Sequence, residues 1–359
     1  MIADSRKNNF NIIRFVAAMM VVLGHMCHLI AVDVSLFLGQ AVSTIGVKIF
    51  FLISGYLIAQ SFLNDSNIFR YAVRRIFRII PGLIGVVLFA VFVVGPVFTV
   101  LPVSEYFANG MTWSYLKNIA LYVQYFLPGV FEANPYPNAI NGSLWTLPVE
   151  VMMYVAVPVI FLLFRKGNKV VIAGVLAVVL EIANLAIGKF RPDAFYVIYG
   201  TDMVSALSII PYFFLGIVFL SSKVKKYLNL QLAIGILCIA EMMNFSSLKS
   251  EIMVFVVLPY FIFSFAFAEE PKFVKCFSKN DFSYGLYLYG FVIQQVIVKI
   301  LWEYQLTLNV YFVICACATT VFGMLSWFLV ERPAQRLAKK ILKSERVAKL
   351  GKFDITKIE

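Results

Sequence analysis

The chain has 359 residues, 61% of them hydrophobic and only 14% charged, with a mean hydropathy of +0.87. A soluble domain carries about 25% charged residues, so this composition excludes an ordinary soluble fold and indicates a polytopic membrane protein. The formal charge of +12 does not indicate a nucleic-acid partner, because the cations sit in short segments between apolar runs and no groove-reading module is present.

About ten membrane-length apolar helices are predicted, at 10–31, 45–63, 79–100, 143–164, 170–188, 203–221, 228–246, 252–268, 283–302 and 308–330. The fold class expected is therefore all-α, a polytopic membrane helix bundle. The first run is too long for the apolar part of a signal peptide and has no small-residue cleavage pattern after it. With the N-terminus placed in the cytoplasm, the segments 1–14, 64–78, 165–169, 222–227, 269–282 and 331–359 hold 25 of the 31 Lys and Arg. That asymmetry puts both termini in the cytoplasm. The expected organisation is one membrane core over 1–336 and a basic, amphipathic cytoplasmic tail over 337–359, with no fused extracytoplasmic domain. The longest outer segment, about 101 to 142, is expected to form an interfacial or re-entrant helix followed by an ordered loop.

The first helix carries Arg14, His25 and His28, and the chain has no other histidine. Arg14 and His25 are eleven residues apart, which leaves them only about 20° apart around a helix and about three turns apart along it. An ionisable group inside a spanning helix is a functional candidate by default, and His is the usual general base near neutral pH. His28, one turn on, reads equally well as interfacial. In the second helix, Ser54 and Gly55 are small enough for close helix packing, and Lys48 either snorkels, pairs with Glu150 or binds an anion.

Arg70, Arg74, Arg75 and Arg78 precede Pro81 on the inner side. They read either as positive-inside charge or as a guanidinium cluster suited to phosphate. Asn141-Gly142-Ser143 is a turn and cap signal before Trp145 and Glu150. Glu150 lies one to two turns inside the membrane and needs a partner, for which His25 and Lys48 are candidates. Glu331-Arg332-Pro333 reads as a helix stop, or as a carboxylate that orients an inner arginine. Glu181, Asp202 and Glu241 have no evident partner. Cys27, Cys238, Cys276, Cys315 and Cys317 show no disulfide or metal spacing and are expected to be small buried residues. No metal site is expected.

Taken in order, these segments resemble the acyltransferase 3 family of polytopic membrane O-acyltransferases. The residues that carry the resemblance are Ile13-Arg14 with His25, Phe50 through Leu57, Arg74-Arg75 with Arg78 and Pro81, Ser143 through Glu150, and Glu331-Arg332-Pro333. The resemblance implies transfer of an acyl group, usually acetyl, from cytoplasmic acyl-CoA to a hydroxyl of a lipid-linked or polymeric cell-surface saccharide. It implies a multi-pass protein of the bacterial inner membrane. Arg14 and His25 would be essential, with Glu150 supporting them. Arg74, Arg75, Arg78 and Glu331 would serve the coenzyme. Lys48, Ser143 and Trp145 are candidates for contact with the acceptor. Lys48 stands where many relatives have an acidic residue. Two other classes remain: a polysaccharide or lipid-linked sugar transporter or flippase, and a non-catalytic export subunit.

Overall fold

In hydrocarbon every backbone N–H and C=O must be satisfied within the protein, so long apolar runs fold as helices. A computed structural model describes residues 8–34, 36–243, 247–269 and 280–343, and its helices are α1 (Phe10–Leu29), α2 (Val42–Asn64), α3 (Ile68–Phe98), α4 (Thr146–Leu163), α5 (Lys169–Phe190), α6 (Met203–Val218), α7 (Leu230–Met242), α8 (Ser247–Ala266), α9 (Ser283–Leu301) and α10 (Leu308–Lys343). Eight of these are long and apolar enough to cross a membrane. The other two, α6 and α7, are apolar but shorter. Two small antiparallel hairpins, 36–41 and 197–202, cap the end opposite the arginines.

Helix pairs approach closely where side chains vanish. A Cβ on Gly55 of α2 would lie 1.8 Å from the Phe213 carbonyl oxygen of α6, and one on Gly216 would lie 2.1 Å from that of Leu52. Ser54-Gly55 therefore marks a helix crossing, as the sequence suggests. A Cβ on Gly285 of α9 would lie 2.7 Å from the Gly323 carbonyl of α10. Small residues permit such contacts where apolar burial gives no net driving force between helices.

Two helix boundaries differ from expectation. α3 begins at Ile68, where Asn67 caps it by accepting from Arg70 N–H at 3.0 Å, so the arginine segment is helical rather than a loop. The helix simply starts before its apolar part does. α10 does not stop at Pro333 but runs on to Lys343. Its turn Trp327–Glu331 is a π-turn, and Arg332 N–H reaches back five residues to the Trp327 carbonyl. The same device precedes Pro96 in α3, where Gly95 N–H reaches the Ala90 carbonyl. The wider turn accommodates a proline ring that would clash with a tighter one.

The long outer segment does form short helices, Val103–Ala108 and Gly110–Ser114, then a 3-10 turn over Tyr115–Ala120 and an ordered loop. Asn134 donates to Gln295 Oε1 at 2.7 Å, and Gln295 donates to the carbonyls of Tyr136 (2.9 Å) and Ala139 (2.8 Å), fastening that loop to α9. Two of the acids without an evident partner now have one: Asp202 caps α6 through Ser205 N–H, and Glu241 accepts from Leu38 N–H. Cys27 and Cys315 are buried as expected, whereas Cys238 and Cys317 lie on exposed helix faces; Cys276 falls outside the described residues.

Candidate active site

The arginines gather at one end of the bundle. Asp281, just before α9, accepts from Arg14 of α1 at 2.7 Å and from Arg78 of α3 at 2.8 Å. Ser283 Oγ donates to its other oxygen at 2.5 Å. Burial alone would raise the Asp281 carboxyl, but the Arg78 and Arg14 guanidiniums and the Ser283 bonds outweigh it and hold it at about 2. Asp65, in the turn between α2 and α3, forms an ion pair with Arg70 Nε at 2.9 Å and accepts a hydrogen bond from Arg74 Nη1 at 2.8 Å. Glu331 is buried in the π-turn of α10, takes a hydrogen bond from Ser326 at 2.8 Å, and lies 3.8 Å from Arg78. Its expected place beside an inner arginine is thus observed.

Arg75 differs from its neighbours. Among the described residues it has no carboxylate within ion-pair distance, and its Nε has no hydrogen-bond partner. Its guanidinium sits 5.7 Å from the ring centroids of both Tyr71 and Tyr154. Aromatic faces hold a cation in place without neutralising it.

Arg14, Arg74, Arg75, Arg78, Tyr154, Asp281 and Ser283 border a cavity of about 440 Å³. One end is cationic, with the four arginines and the exposed Lys339. Midway stands Glu150, which accepts from Tyr154 Oη and lies 3.5 Å from Ser54 Oγ. The far end is mostly apolar, lined by Val47, Phe50, Leu147 and Tyr287 with Thr146 beside them. An elongated ligand with an anionic head and an apolar or weakly polar arm matches this gradient.

Five expected residues, Arg14, Arg74, Arg75, Arg78 and Glu150, border this one cavity; His25, Lys48, Ser143, Trp145 and Glu331 do not. The His25 ring packs edge-on against Phe291 of α9, with centroids 5.2 Å apart. Phe291 lies one turn beyond Tyr287, about 6 Å along the helix. The Asn141-Gly142-Ser143 turn meets the same ring, since a Cβ on Gly142 would lie 2.7 Å from it. His25 and Ser143 therefore share a layer just past the apolar end of the cavity. The His25 ring nitrogens have no hydrogen-bond partner among the described residues. Trp145 is half-buried at the start of α4, and His28 is exposed.

Two suggested pairings fail. Lys48 does not meet Glu150; it pairs with Glu251 of α8 at 2.5 Å and with Gln40 at 2.9 Å, and its side chain is 1% exposed. Glu150 does not meet His25 either, and takes Tyr154, one turn along its own helix, instead. Facing helices decided both outcomes, and periodicity carries no information about them. The sequence reading also missed Asp281 and Tyr154. An i, i+4 relation to Glu150 was a usable signal for Tyr154. For Asp281 the signal was fainter, an acid just before a helix and beside Ser283.

An all-α bundle with eight membrane-length helices and an arginine-lined cavity defines a multi-pass membrane protein. Residues 7–328 match the family described as acyltransferase domain, the acyltransferase 3 family, and the chain belongs to it. It is 25% identical over 334 residues to a protein of Shigella phage Sf6 named O-acetyl transferase, which covers 91% of this chain and 96% of that one. It is 26% identical over 368 residues to Nodulation protein 10 of Rhizobium leguminosarum bv. viciae, with 95% and 96% covered. No solved structure gives a significant match. The chain is accordingly a membrane O-acyltransferase.

Proposed function

We propose that the protein takes an acyl group, acetyl in the first instance, from acyl-CoA on the cytoplasmic side of a bacterial inner membrane and transfers it to a hydroxyl of a lipid-linked or polymeric cell-surface saccharide. The observation that carries this reading is the cavity with Arg75 at its mouth, a guanidinium held between two tyrosines with no carboxylate beside it. Arg75 and Lys339 bind the coenzyme's phosphates, while Arg14 and Arg78, locked by Asp281, and Arg74, paired with Asp65, set the shape of that mouth. The pantetheine arm runs past Glu150 toward the apolar end, and the thioester reacts at the His25 layer. A ring nitrogen of His25 takes the proton of the acceptor hydroxyl as its oxygen attacks the thioester carbonyl. The C–O bond forms, the C–S bond breaks, and the departing thiolate receives the proton back from His25. The name of the phage relative supports acetyl as the group transferred.

The test uses the protein in proteoliposomes supplied with acetyl-CoA and lipid-linked saccharide. Slow background hydrolysis of acetyl-CoA alone, and much faster thiol release once the saccharide is added, with acetyl recovered on the saccharide, is the expected result. Saccharide crossing the bilayer with no thiol released would replace this reading by that of a transporter.

A further inference from the structure

The apolar end of the cavity carries an aromatic pair. Phe50 of α2 and Tyr287 of α9 meet edge to face, with centroids 5.7 Å apart and planes at 71°. Tyr287 is anchored: its hydroxyl donates to the Ser143 carbonyl at 3.0 Å and lies 2.6 Å from Thr146 Oγ1. Phe50 has no such anchor and is only half-buried, bordering the cavity. The pair borders the cavity, and one helical turn beyond Tyr287 along α9 stands Phe291, against which the His25 ring packs. An edge-to-face pair contributes about 0.5–1.5 kcal/mol, so a swing of the Phe50 ring is accessible while Tyr287 stays fixed.

We propose that Phe50 and Tyr287 form a size filter between the coenzyme cavity and His25, passing an acetyl-sized group and turning back longer acyl chains. The proposal rests on the acyl-transfer reading above. It gives the apolar end of the cavity a task distinct from coenzyme binding, which belongs to the arginine mouth. Displacement of one ring edge opens room for one or two carbons but not for an extended chain, because Tyr287 cannot follow. Each methylene that a rigid apolar wall rejects is worth roughly tenfold or more in selectivity.

The experiment compares acetyl-CoA, butyryl-CoA and octanoyl-CoA with the full-length protein in lipid nanodiscs, reading thiol release by slow hydrolysis. Water oxygen bonds to the carbonyl carbon, the C–S bond breaks, and the coenzyme leaves as its thiol. The wild type is expected to favour acetyl over butyryl by about tenfold or more. Phe50→Ala is expected to reduce that preference by about tenfold, and Phe50→Leu, which keeps an apolar side chain and serves if the alanine variant does not fold, by less. Tyr287→Phe keeps the ring but cuts its tether, and is expected to relax the preference too. A folded wild type that hydrolyses acetyl-CoA, with variants whose acetyl-to-butyryl ratios stay within about twofold of it, overturns the filter and leaves acyl transfer standing. No thiol release from any thioester by folded wild type overturns the transfer reading, and the filter with it.

Discussion

Arg75→Ala is expected to weaken coenzyme A binding more than replacement of any other arginine at the mouth of the cavity. Arg14 and Arg78 share Asp281, and Arg70 and Arg74 share Asp65, so each of these cations already has an anion beside it. Arg75 has two aromatic faces instead, 5.7 Å from each, and its charge is free for phosphate. A hydrogen bond to a charged group contributes about 1.5–3 kcal/mol, which corresponds to about 10- to 150-fold in Kd. Arg74→Ala removes a cation whose side chain is 25% exposed and already paired, and is expected to cost less than about threefold. Arg75→Lys should fall between, since a lysine keeps the charge but loses the planar fork and its stacking. Calorimetric titration of coenzyme A into nanodisc-held protein measures all three, and raising the salt should shrink the difference between Arg75 and Ala. A loss under about twofold for Arg75→Ala, or an equal loss for Arg74→Ala, would refute the reasoning.

Asp281→Asn is expected to lower thermal stability at neutral pH by roughly 2 kcal/mol, because the native carboxyl titrates at about 2 against an ordinary 3.8. That stabilisation is complete above about pH 4 and is lost as pH falls through about 2, so melting curves of wild type and variant should converge in acid. Gly55→Ala places a methyl group against the Phe213 carbonyl and should abolish a cooperative melting transition, whereas Gly235→Ala, with nothing within 4 Å, should leave it in place. Lys48→Met strands Glu251 without its cation and should cost about 3–5 kcal/mol; adding Glu251→Gln should recover part of the loss in a double-mutant cycle.

Much of this protein was legible because hydrocarbon enforces simple rules. Apolar runs gave ten helices, of which eight are membrane-length and α6 and α7 are shorter, and Ser54-Gly55 marked a helix crossing that α2 and α6 do make. The arginines of α3 do gather at one end of the bundle, but their pairing was not legible. Whether a guanidinium is paired or free depends on Asp281, which is 267 residues from Arg14 and 203 from Arg78. Lys48 and Glu251 are likewise 203 residues apart. Helical periodicity fixes which face a residue occupies and leaves open which helix lies opposite. The run-on of α10 past Pro333 was hidden for another reason: a π-turn, invisible in composition, removes the clash that makes proline a stop. That His25 lies off the cavity, against Phe291, was equally out of reach, since it depends on which helix faces α1.

In the proposed mechanism binding and chemistry occupy adjoining places, with the coenzyme held at the arginines and the acyl group reacting at His25. The direct test is acetyl-CoA binding and thiol release by wild type and His25→Ala in the same nanodiscs. The account predicts that both bind acetyl-CoA with equal affinity, since His25 lies outside the cavity wall, and that only the wild type releases thiol. Thiol release by His25→Ala at the wild-type rate would contradict it and move the chemistry into the cavity, to Glu150 and Tyr154.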